Sequence, residues 1–449
     1  MWFARRSLVS PLALAFFSAV SMNVYAVDLL GAYQQAKTNA PVFQGYDATQ
    51  KAAQQGYYSA VGGLFPTVSL SAVGNATAYN TSSYNDSALW DTETVSLSQP
   101  VFNLNLWGTT LSQSDTSASA QATYQANVQS FILTVATDYF NILQDKGVLA
   151  SDDAAVSFYG RTLKQTQEKF QAGLSTIKAV KQAEANYDLS YATQIKDQSQ
   201  LQIDVSNLSK LTGVRYTDLA APKETFPFAS PDPADIETWV REAEINNKTL
   251  IAARLTADSS KQVITEEVGN QLPQVNFVAT YGLAHTNAND TVLVEHFAGE
   301  RSSHSWAIQL QASWNIFEGT ALFASTIQAA RSYDAQTDTT LQTYRNTVAQ
   351  TRQDYRSVIS DISQVAALKQ AVTADELSLK QLDEEYKVGT ETIVNVLDQA
   401  NQLFSDRKNY TQAEYKYMTD TLTLQEDVGS LGLPQISLLN QWLTTSTSA

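Results

Sequence analysis

The 449-residue sequence predicts an α+β membrane protein in which four strands of the membrane-barrel type are combined with very long helices. Two stretches of similar sequence lie at a constant offset, which indicates an internal two-fold repeat. Segments of about ten residues alternate between polar and apolar side chains, as membrane-barrel strands do. Proline-free stretches of about 40 residues carry apolar side chains three and four positions apart, which is typical of long amphipathic helices.

The first element is an export signal. Two arginines precede the apolar run "LVSPLALAFFSAV" (8–20), and small residues lead up to a cleavage site after Ala26. We therefore expect a signal peptide over 1–26. No later stretch reaches the roughly 18 apolar residues of a spanning helix, so the sequence predicts an exported protein rather than an inner-membrane one.

Composition excludes several classes of protein. The chain has no cysteine, which rules out disulfides and an N-terminal lipid. The formal net charge is −16, from 29 bases and 45 acids. Loss of the two signal-peptide arginines leaves 27 bases and a charge of −18. Such a balance argues against nucleic-acid binding and against a polybasic membrane-surface helix.

The mature chain divides into two similar halves. "DLLGAYQQAKTN" (28–39) matches "DIETWVREAEIN" (235–246) at an offset of 207 residues. Gly173 and Gly389 lie 216 residues apart in a shared helical motif, so the second half carries extra residues in between. We expect a first structural repeat over 27–234 and a second over 235–449. Each would contain a helix, two strands, and long helices interrupted once, at the glycine.

The predicted strands carry an apolar and a polar face. In "SWAIQLQASWNIF" (305–317), Trp306, Ile308 and Leu310 alternate with glutamine and serine. A water-soluble sheet over a core is the alternative. The length of the segments, the aromatic residues near their ends and the polar opposite face favour membrane-barrel strands with a wet lumen. The strands are expected at about 66–79, 91–103, 273–284 and 303–317, with polar loops over 79–91 and 285–303.

The remaining sequence is helical. The stretches 105–143 and 325–362 would form rods of roughly 60 Å at 1.5 Å per residue. Their apolar seam is thin, which suits helices that stand side by side as the wall of a tube. Gly173 and Gly389 would each end one long helix and allow a tight reversal into the next.

Four strands in one chain would leave two unpaired edges, which a bilayer does not tolerate. The chain must therefore oligomerise. Two copies would give eight strands and a filled interior, whereas three would give twelve strands and an open lumen. Long polar helices attached to the barrel favour three copies, with an open lumen.

Three motifs identify a family resemblance. "VGTETIVNVLDQ" (388–399), "TVATDYFNIL" (134–143) and "LFP" (64–66) resemble the TolC-like outer-membrane export channels, the outer membrane efflux protein family. The resemblance covers essentially the whole mature chain. It implies a homotrimer with a 12-stranded β-barrel in the outer membrane, continued by a 12-helix periplasmic tunnel with coiled-coil tips.

The resemblance also implies a function without catalysis or cofactors. The expected protein is the passive channel-tunnel of a tripartite system for type I protein secretion or multidrug efflux. It would be opened by an inner-membrane transporter, ABC-type or proton-driven, through a periplasmic adaptor (membrane fusion) protein. The sequence leaves the cargo open between secreted proteins and small molecules. The alternatives are an adhesin-like trimeric coiled coil, which would not need the strand hairpins, and an exported hydrolase with an Asp/Glu pair.

The family places two rings of acids at the narrowest part of the tunnel. Asp398 matches one of these acids, and Asn395 stands where the other belongs, so one ring is expected to be neutral. The resemblance thus implies that Asp398 and Asn395 set the pore aperture and its cation selectivity.

Family channels also keep the tip closed with a tyrosine, an arginine and an aspartate. Tyr386 matches the tyrosine, but Glu391 replaces the arginine and Ala179 replaces the aspartate. Lys178 could pair with Glu391 in the reversed sense, or could simply be solvated. The residues at the two turns would receive the adaptor: Gly173, Leu174, Val388, Gly389 and Thr390.

Other possible sites are weaker. His285, His296 and His304 lie in or beside the second hairpin loop, and their spacing fits no common metal site. The sequence contains no nucleophile elbow, phosphate loop or H-E-x-x-H motif. The acids of "ASDDAA" (150–155) and "DEEY" (383–386) are expected on solvated helix faces.

Overall fold

A computed structural model describes residues 27–81, 84–216, 218–223, 225–288 and 302–444. The predicted signal peptide (1–26) and His296 lie outside these ranges. The predicted combination of long helices with four strands is confirmed. The elements are α1 (Leu29–Asn39), α2 (Pro41–Gly62), β1 (Thr67–Thr81), β2 (Tyr84–Phe102), α3 (Leu104–Gln171), α4 (Ile177–Thr212), α5 (Ile236–Asn246), α6 (Lys248–Gly269), β3 (Gln274–Ala288), β4 (Ser302–Ser313), α7 (Ala321–Val388), α8 (Ile393–Asp427) and α9 (Leu433–Asn440).

Each half of the chain begins with two helices rather than the single helix expected. In the first half Pro41 starts α2, since a proline at the first helical position loses no hydrogen bond. In the second half Asn247 separates α5 from α6 and caps α6, where its side chain accepts a hydrogen bond from the Leu250 N–H at 2.9 Å. Asp28 and Asp235 cap α1 and α5 in the same way.

The four strands form one antiparallel sheet in the order β1-β2-β3-β4, with β1 and β4 at its edges. β1 and β2 continue through 79–81 and 84–91, where a polar loop was expected, because backbone pairing does not require apolar side chains. β4 ends at Ser313 rather than at 317. There the Trp314 indole donates to the Gln271 carbonyl at 3.0 Å, and the chain leaves the sheet.

The strand register gathers apolar side chains on one face of the sheet. Leu70, Val95, Tyr281 and Trp306 are paired neighbours across all four strands, and all are exposed. The next row on the other face consists of small and polar residues: Ser71, Thr94, Gly282 and Ser305. The predicted alternation is therefore confirmed, and no part of the described chain covers the apolar face.

Two helical hairpins make up most of the chain. α3 and α7 are each 68 residues long, and α4 and α8 run back along them over 36 and 35 residues. The reversals occur at Gly173, with φ of 75°, and Gly389, with φ of 88°. No described helix is both long enough and apolar enough to cross a membrane.

The main core lies where α1, α3, α4 and α8 meet. Tyr139 is fully buried there, and its hydroxyl lies 2.7 Å from the Ala220 carbonyl and 3.0 Å from that of Val27. A second core, around Val396 and Phe404, lies nearer the hairpin turns and joins α3 to α7 and α8. These two cores fix the hairpins side by side.

The connection between the two halves of the chain is held by both chain ends. Val27 forms a bridge with Leu219, and the Thr444 N–H donates to the Ala221 carbonyl at 2.7 Å. The Lys223 N–H donates to the Trp442 carbonyl at 2.9 Å. Segment 218–223 thus lies between the start and the end of the described chain.

Candidate functional site

The candidate site is the pair of hairpin turns, which share one hydrogen-bonding pattern. The Leu174 N–H donates to the Lys169 carbonyl at 2.7 Å, and the Thr390 N–H donates to the Glu385 carbonyl at 3.0 Å. Both bonds span five residues and close a left-handed turn of the type that follows helices. The positive φ at Gly173 and Gly389 allows this closure.

The turns present apolar side chains to solvent. Leu174 is 78% exposed and Val388 is 75% exposed. A Cβ atom on Gly173 or Gly389 would meet no atom within 4 Å, so space beside the turns is open. The residues predicted to receive an adaptor therefore form two accessible turns in the structure, whereas their docking role stays a prediction.

Tyr386 is held inside the tip by two residues of α3. Its hydroxyl lies 3.3 Å from the Thr166 hydroxyl, and its ring is 3.6 Å from the Lys169 ammonium nitrogen. Lys169 also donates to the Tyr386 carbonyl at 2.6 Å. Burial lowers the pKa of Lys169, although the nearby Asp383 opposes this shift. Sequence reasoning missed Lys169, because a lysine among many helical charges carries no local signal.

Glu391, just before α8, and Asn395, in its first turn, bond to each other. The Glu391 carboxylate accepts from the Thr392 N–H at 2.6 Å and from the Asn395 amide at 2.8 Å. These bonds, the backbone one first, lower the pKa of Glu391. In this chain the carboxylate is therefore satisfied without Lys178, and the Lys178–Glu391 pair stays a prediction. The Ala179 N–H belongs to a helix cap and donates to the Thr176 hydroxyl at 3.2 Å.

Asp398 lies on the exposed side of α8, whereas the neighbouring Val396 and Leu397 point into the core. Its charge adds to burial, the larger cause, in raising the pKa of Tyr159. The Tyr159 hydroxyl donates to the Asn401 side chain at 2.6 Å. Asp398 is thus an exposed residue near the start of α8, and its place at a pore aperture stays a prediction.

One acid expected on a solvated face is buried. Asp152, in "ASDDAA", is only 3% exposed and pairs with Lys408 of α8. Lys408 also bonds Asp197 of α4 at 3.1 Å. One ammonium group therefore joins both helices of the first hairpin to the second hairpin. The expectation was wrong because the cation that permits burial of Asp152 lies more than 250 residues away in sequence.

The two described histidines of the sheet lie on adjacent strands, in different rows. His285 pairs with Asp91 and Ser302, and His304 pairs with Leu283. Over the described ranges no group of three or more histidine and acidic side chains is placed to hold a metal ion.

Comparison with known proteins places this geometry in a family. The model of the family described as "Outer membrane efflux protein" matches residues 32–214 and 239–430. The outer membrane protein TolC of Escherichia coli is 29% identical over 446 residues, covering 97% of this chain and 88% of that protein. The alkaline protease secretion protein AprF of Pseudomonas aeruginosa is 21% identical over 97% of this chain and 91% of its own length.

A solved structure shares the fold. The outer membrane protein VceC of Vibrio cholerae aligns with a TM-score of 0.77 at 18% identity. The alignment covers 89% of this chain and 96% of that one.

Proposed function

The chain belongs to the outer membrane efflux protein family, and we propose that three copies form one continuous conduit across the outer membrane and the periplasm. The protein is an outer-membrane channel for efflux and type I secretion, with its helical part in the periplasm. The adhesin-like alternative is dropped, because it accounts for neither the family match nor the sheet.

The observation that carries the proposal is the sheet, with its exposed apolar face and two unpaired edges. Rows such as Leu70, Val95, Tyr281 and Trp306 would be costly in water but suit hydrocarbon. The opposite rows of serine, threonine and glycine suit a water-filled lumen. Three such sheets joined edge to edge, β1 of one copy to β4 of the next, would close a 12-stranded barrel.

The helical hairpins would line the tunnel. Equal lengths of α3 and α7, and nearly equal lengths of α4 and α8, support the internal two-fold repeat over 27–234 and 235–449. Three copies of two hairpins give twelve helices around one axis. The largely polar surfaces of these helices suit contact with water on the inside.

The hairpin tips would dock the partners. Leu174 and Val388 offer apolar contacts beside the glycine turns, with Thr390 next to them. We assign them as contacts for a periplasmic adaptor protein, which would couple the conduit to an inner-membrane transporter of the ABC or proton-driven type. Energy would come from the transporter, since the conduit itself needs no cofactor.

The same tips would form the aperture and its gate. Three Asp398 carboxylates around the axis would form a ring that attracts cations, and Asn395 would leave a second ring neutral. Tyr386, held by Lys169, would brace the closed tip from within. Lys178 and Glu391 of neighbouring hairpins would complete the gate only if opening of the Glu391–Asn395 bond released the carboxylate.

Gene deletion with complementation tests the function. We expect the deletion strain to lose secreted proteins, or to become sensitive to toxic small molecules, or both, and the intact gene to restore the loss. The purified protein should also give discrete single-channel conductance steps in planar bilayers. A strain unchanged in both export assays, with a protein that gives no conductance, would refute the proposed function.

A further inference from the structure

The hairpins contain a regular series of aspartate pairs. In the first hairpin Asp145 of α3 contacts Asp204 of α4 within hydrogen-bonding range, and both are only 9% exposed. Asp152 and Asp197 pair seven residues further toward the tip. The second hairpin repeats the arrangement between α7 and α8, in the pairs Asp354–Asp427, Asp361–Asp420 and Asp375–Asp406.

Two of these pairs contain a lysine. Lys416 donates to both oxygens of Asp361, at 2.9 and 3.1 Å, and to Asp420 at 2.6 Å. Burial opposes the charge on Lys416, but its bonds to Asp420 and Asp361 outweigh that effect and raise the pKa of Lys416. Lys408 serves Asp152 and Asp197 in the same way. In these pairs a cation offsets one of the two carboxylate charges.

The other three pairs contain glutamine in place of lysine. Gln200 donates to Asp204 at 3.1 Å, and it occupies the position of Lys416 at the 216-residue offset of the two halves. Gln350 and Gln402 donate in the same way to Asp354 and Asp406. The second acid of each of these pairs has a buried oxygen without a hydrogen-bond partner: Asp145 Oδ2, Asp427 Oδ2 and Asp375 Oδ2.

Hydrogen-bond chemistry requires a proton in such a pair. Ionised carboxylates only accept hydrogen bonds, so two of them cannot bond to each other. Asp204 already accepts from Gln200 and, at 3.2 Å, from Asn207. The unpartnered oxygen of Asp145 is therefore the place for a hydrogen that it can donate toward Asp204.

The charged groups around Asp145 and Asp204 do not replace that proton. The cations are engaged by other acids: Lys408 by Asp152 and Asp197, and Lys146 by Asp218 at 3.6 Å. The remaining charged neighbours are Asp138 on α3 and Asp197 and Lys210 on α4, where Lys210 acts on Asp138. Negative charge predominates, which favours proton uptake.

We propose that the lysine-free aspartate pairs each share one proton and act as pH-dependent fasteners between the helices of a hairpin. The shared proton forms the hydrogen bond between the two helices, so its loss leaves two negative charges in contact; in the Asp145–Asp204 pair both of these charges are buried. The hairpins are then fastened at acid pH and loosened at alkaline pH. In the two pairs with Lys408 and Lys416 an ammonium group remains between the carboxylates when the proton is lost. Any effect of this loosening on a tunnel rests on the proposed function, whereas the shared proton within each hairpin does not.

Burial and the neighbouring aspartates support this proposal and set its pH range. Burial first, and then Asp204, raise the pKa of Asp145 to about 7. Burial and Asp354 raise the pKa of Asp427 to about 8. A carboxyl whose pKa is raised in the folded state binds more protons than in the unfolded state, where it titrates near 4. Stability therefore falls as pH rises from about 4 to about 7 or 8, and then levels off.

Infrared spectroscopy of the purified full-length protein tests the shared proton directly. We expect the carbonyl band of protonated carboxyl groups to persist above pH 5 and to disappear as the pH rises through 7 to 8. Asp145→Asn should remove a component equal to about one proton per chain, because the amide donates to Asp204 at every pH. Gln200→Lys should remove the same component, because the new lysine would supply a cation to Asp145 and Asp204 as Lys416 does to Asp361 and Asp420.

Asp153→Asn is the matched control, since Asp153 is exposed next to Asp152 and should leave the band unchanged. Thermal unfolding should lose part of its pH dependence in Asp145→Asn and none in the control. The proposal is overturned if the band is absent from the wild type at pH 5, or if neither Asp145→Asn nor Gln200→Lys removes a component. It is also overturned if a chelator changes the wild-type titration, which would show a metal cation between the carboxylates. None of these measurements depends on transport.

Discussion

Glycines with the same left-handed backbone differ in what surrounds them. Gly429 has φ of 71°, and a Cβ there would lie 2.1 Å from the Asn246 carbonyl oxygen. At Gly389 a Cβ would meet nothing within 4 Å. Gly389→Ala should cost only the backbone strain of about 1–2 kcal/mol. Gly429→Ala should cost clearly more, because the turn after α8 must also move away from the end of α5.

Thermal unfolding followed by the helical circular dichroism signal checks this difference. Equal melting temperatures for the two alanine variants would show that the close approach at Gly429 relaxes without cost.

The Asp398 carboxylate should set cation selectivity at the aperture. Three copies near one axis would attract cations and bind multivalent ones, provided that the aperture is narrow. Bilayer conductance, with a trivalent cation added on the periplasmic side, should show a block in the wild type. Asp398→Asn should abolish the block and weaken cation preference.

Asn395→Asp is the complementary variant, since it would restore the second acid and should strengthen both effects. A block and a selectivity that survive in Asp398→Asn would remove Asp398 from the aperture.

Among the elements, the two hairpins depend on one buried ammonium group. At alkaline pH, where an aspartate pair loses its shared proton, Lys408→Met would leave Asp152 charged and buried without its cation, which costs about 3–5 kcal/mol for a buried pair broken on one side. Chemical denaturation should therefore show a large loss in Lys408→Met. Adding Asp152→Asn and Asp197→Asn to that variant should recover much of the loss, since no unpaired charge then remains.

A Lys408→Met variant as stable as the wild type would mean that water replaces the ammonium group at Asp152 and Asp197 without a loss of stability. Arg331→Met is a control of the same kind, because its pair with Asp334 is highly exposed and should contribute little.

The glycine turns should determine docking. Leu174→Arg or Thr390→Trp should block export by disturbing the adaptor contact, without lowering the yield of assembled channel. Leu189→Arg, about three turns away on α4, is the control because Leu189 is also exposed. Export and assembly measured together separate docking from folding, and normal export in the Leu174 and Thr390 variants would place the contact elsewhere.

Elements with a strong period were predictable from sequence, whereas their ends and partners were not. The alternating pattern correctly predicted the part of β4 around Leu310. The same pattern continues to Trp314, but there the chain has left the sheet, and the indole donates to the Gln271 carbonyl. The helices around Asp145 and Asp204 followed from apolar spacing. The contact between these two acids could not be predicted. It joins two helices whose relative register is set by packing, and in each helix alone the aspartate resembles a solvent-exposed residue.

At the scale of the whole molecule, the unpaired edges of β1 and β4 predict a homotrimer. Purified mature protein in detergent should sediment as three chains and dissociate into monomers only on heating, because four strands cannot close a barrel. Light scattering with correction for detergent measures the mass. A folded monomer inserted in lipid would contradict this architecture.

Segment 218–223, lying between the start and the end of the chain, also constrains how the protein is made. The core that surrounds it takes Leu29 from the beginning, Tyr139 from the middle, and Ile436 and Leu443 from the last described turn. That core includes residues from Leu29 to Leu443, so it cannot be completed before Leu443 has been synthesised. A nascent chain that stops short of Leu443 therefore lacks part of its main core.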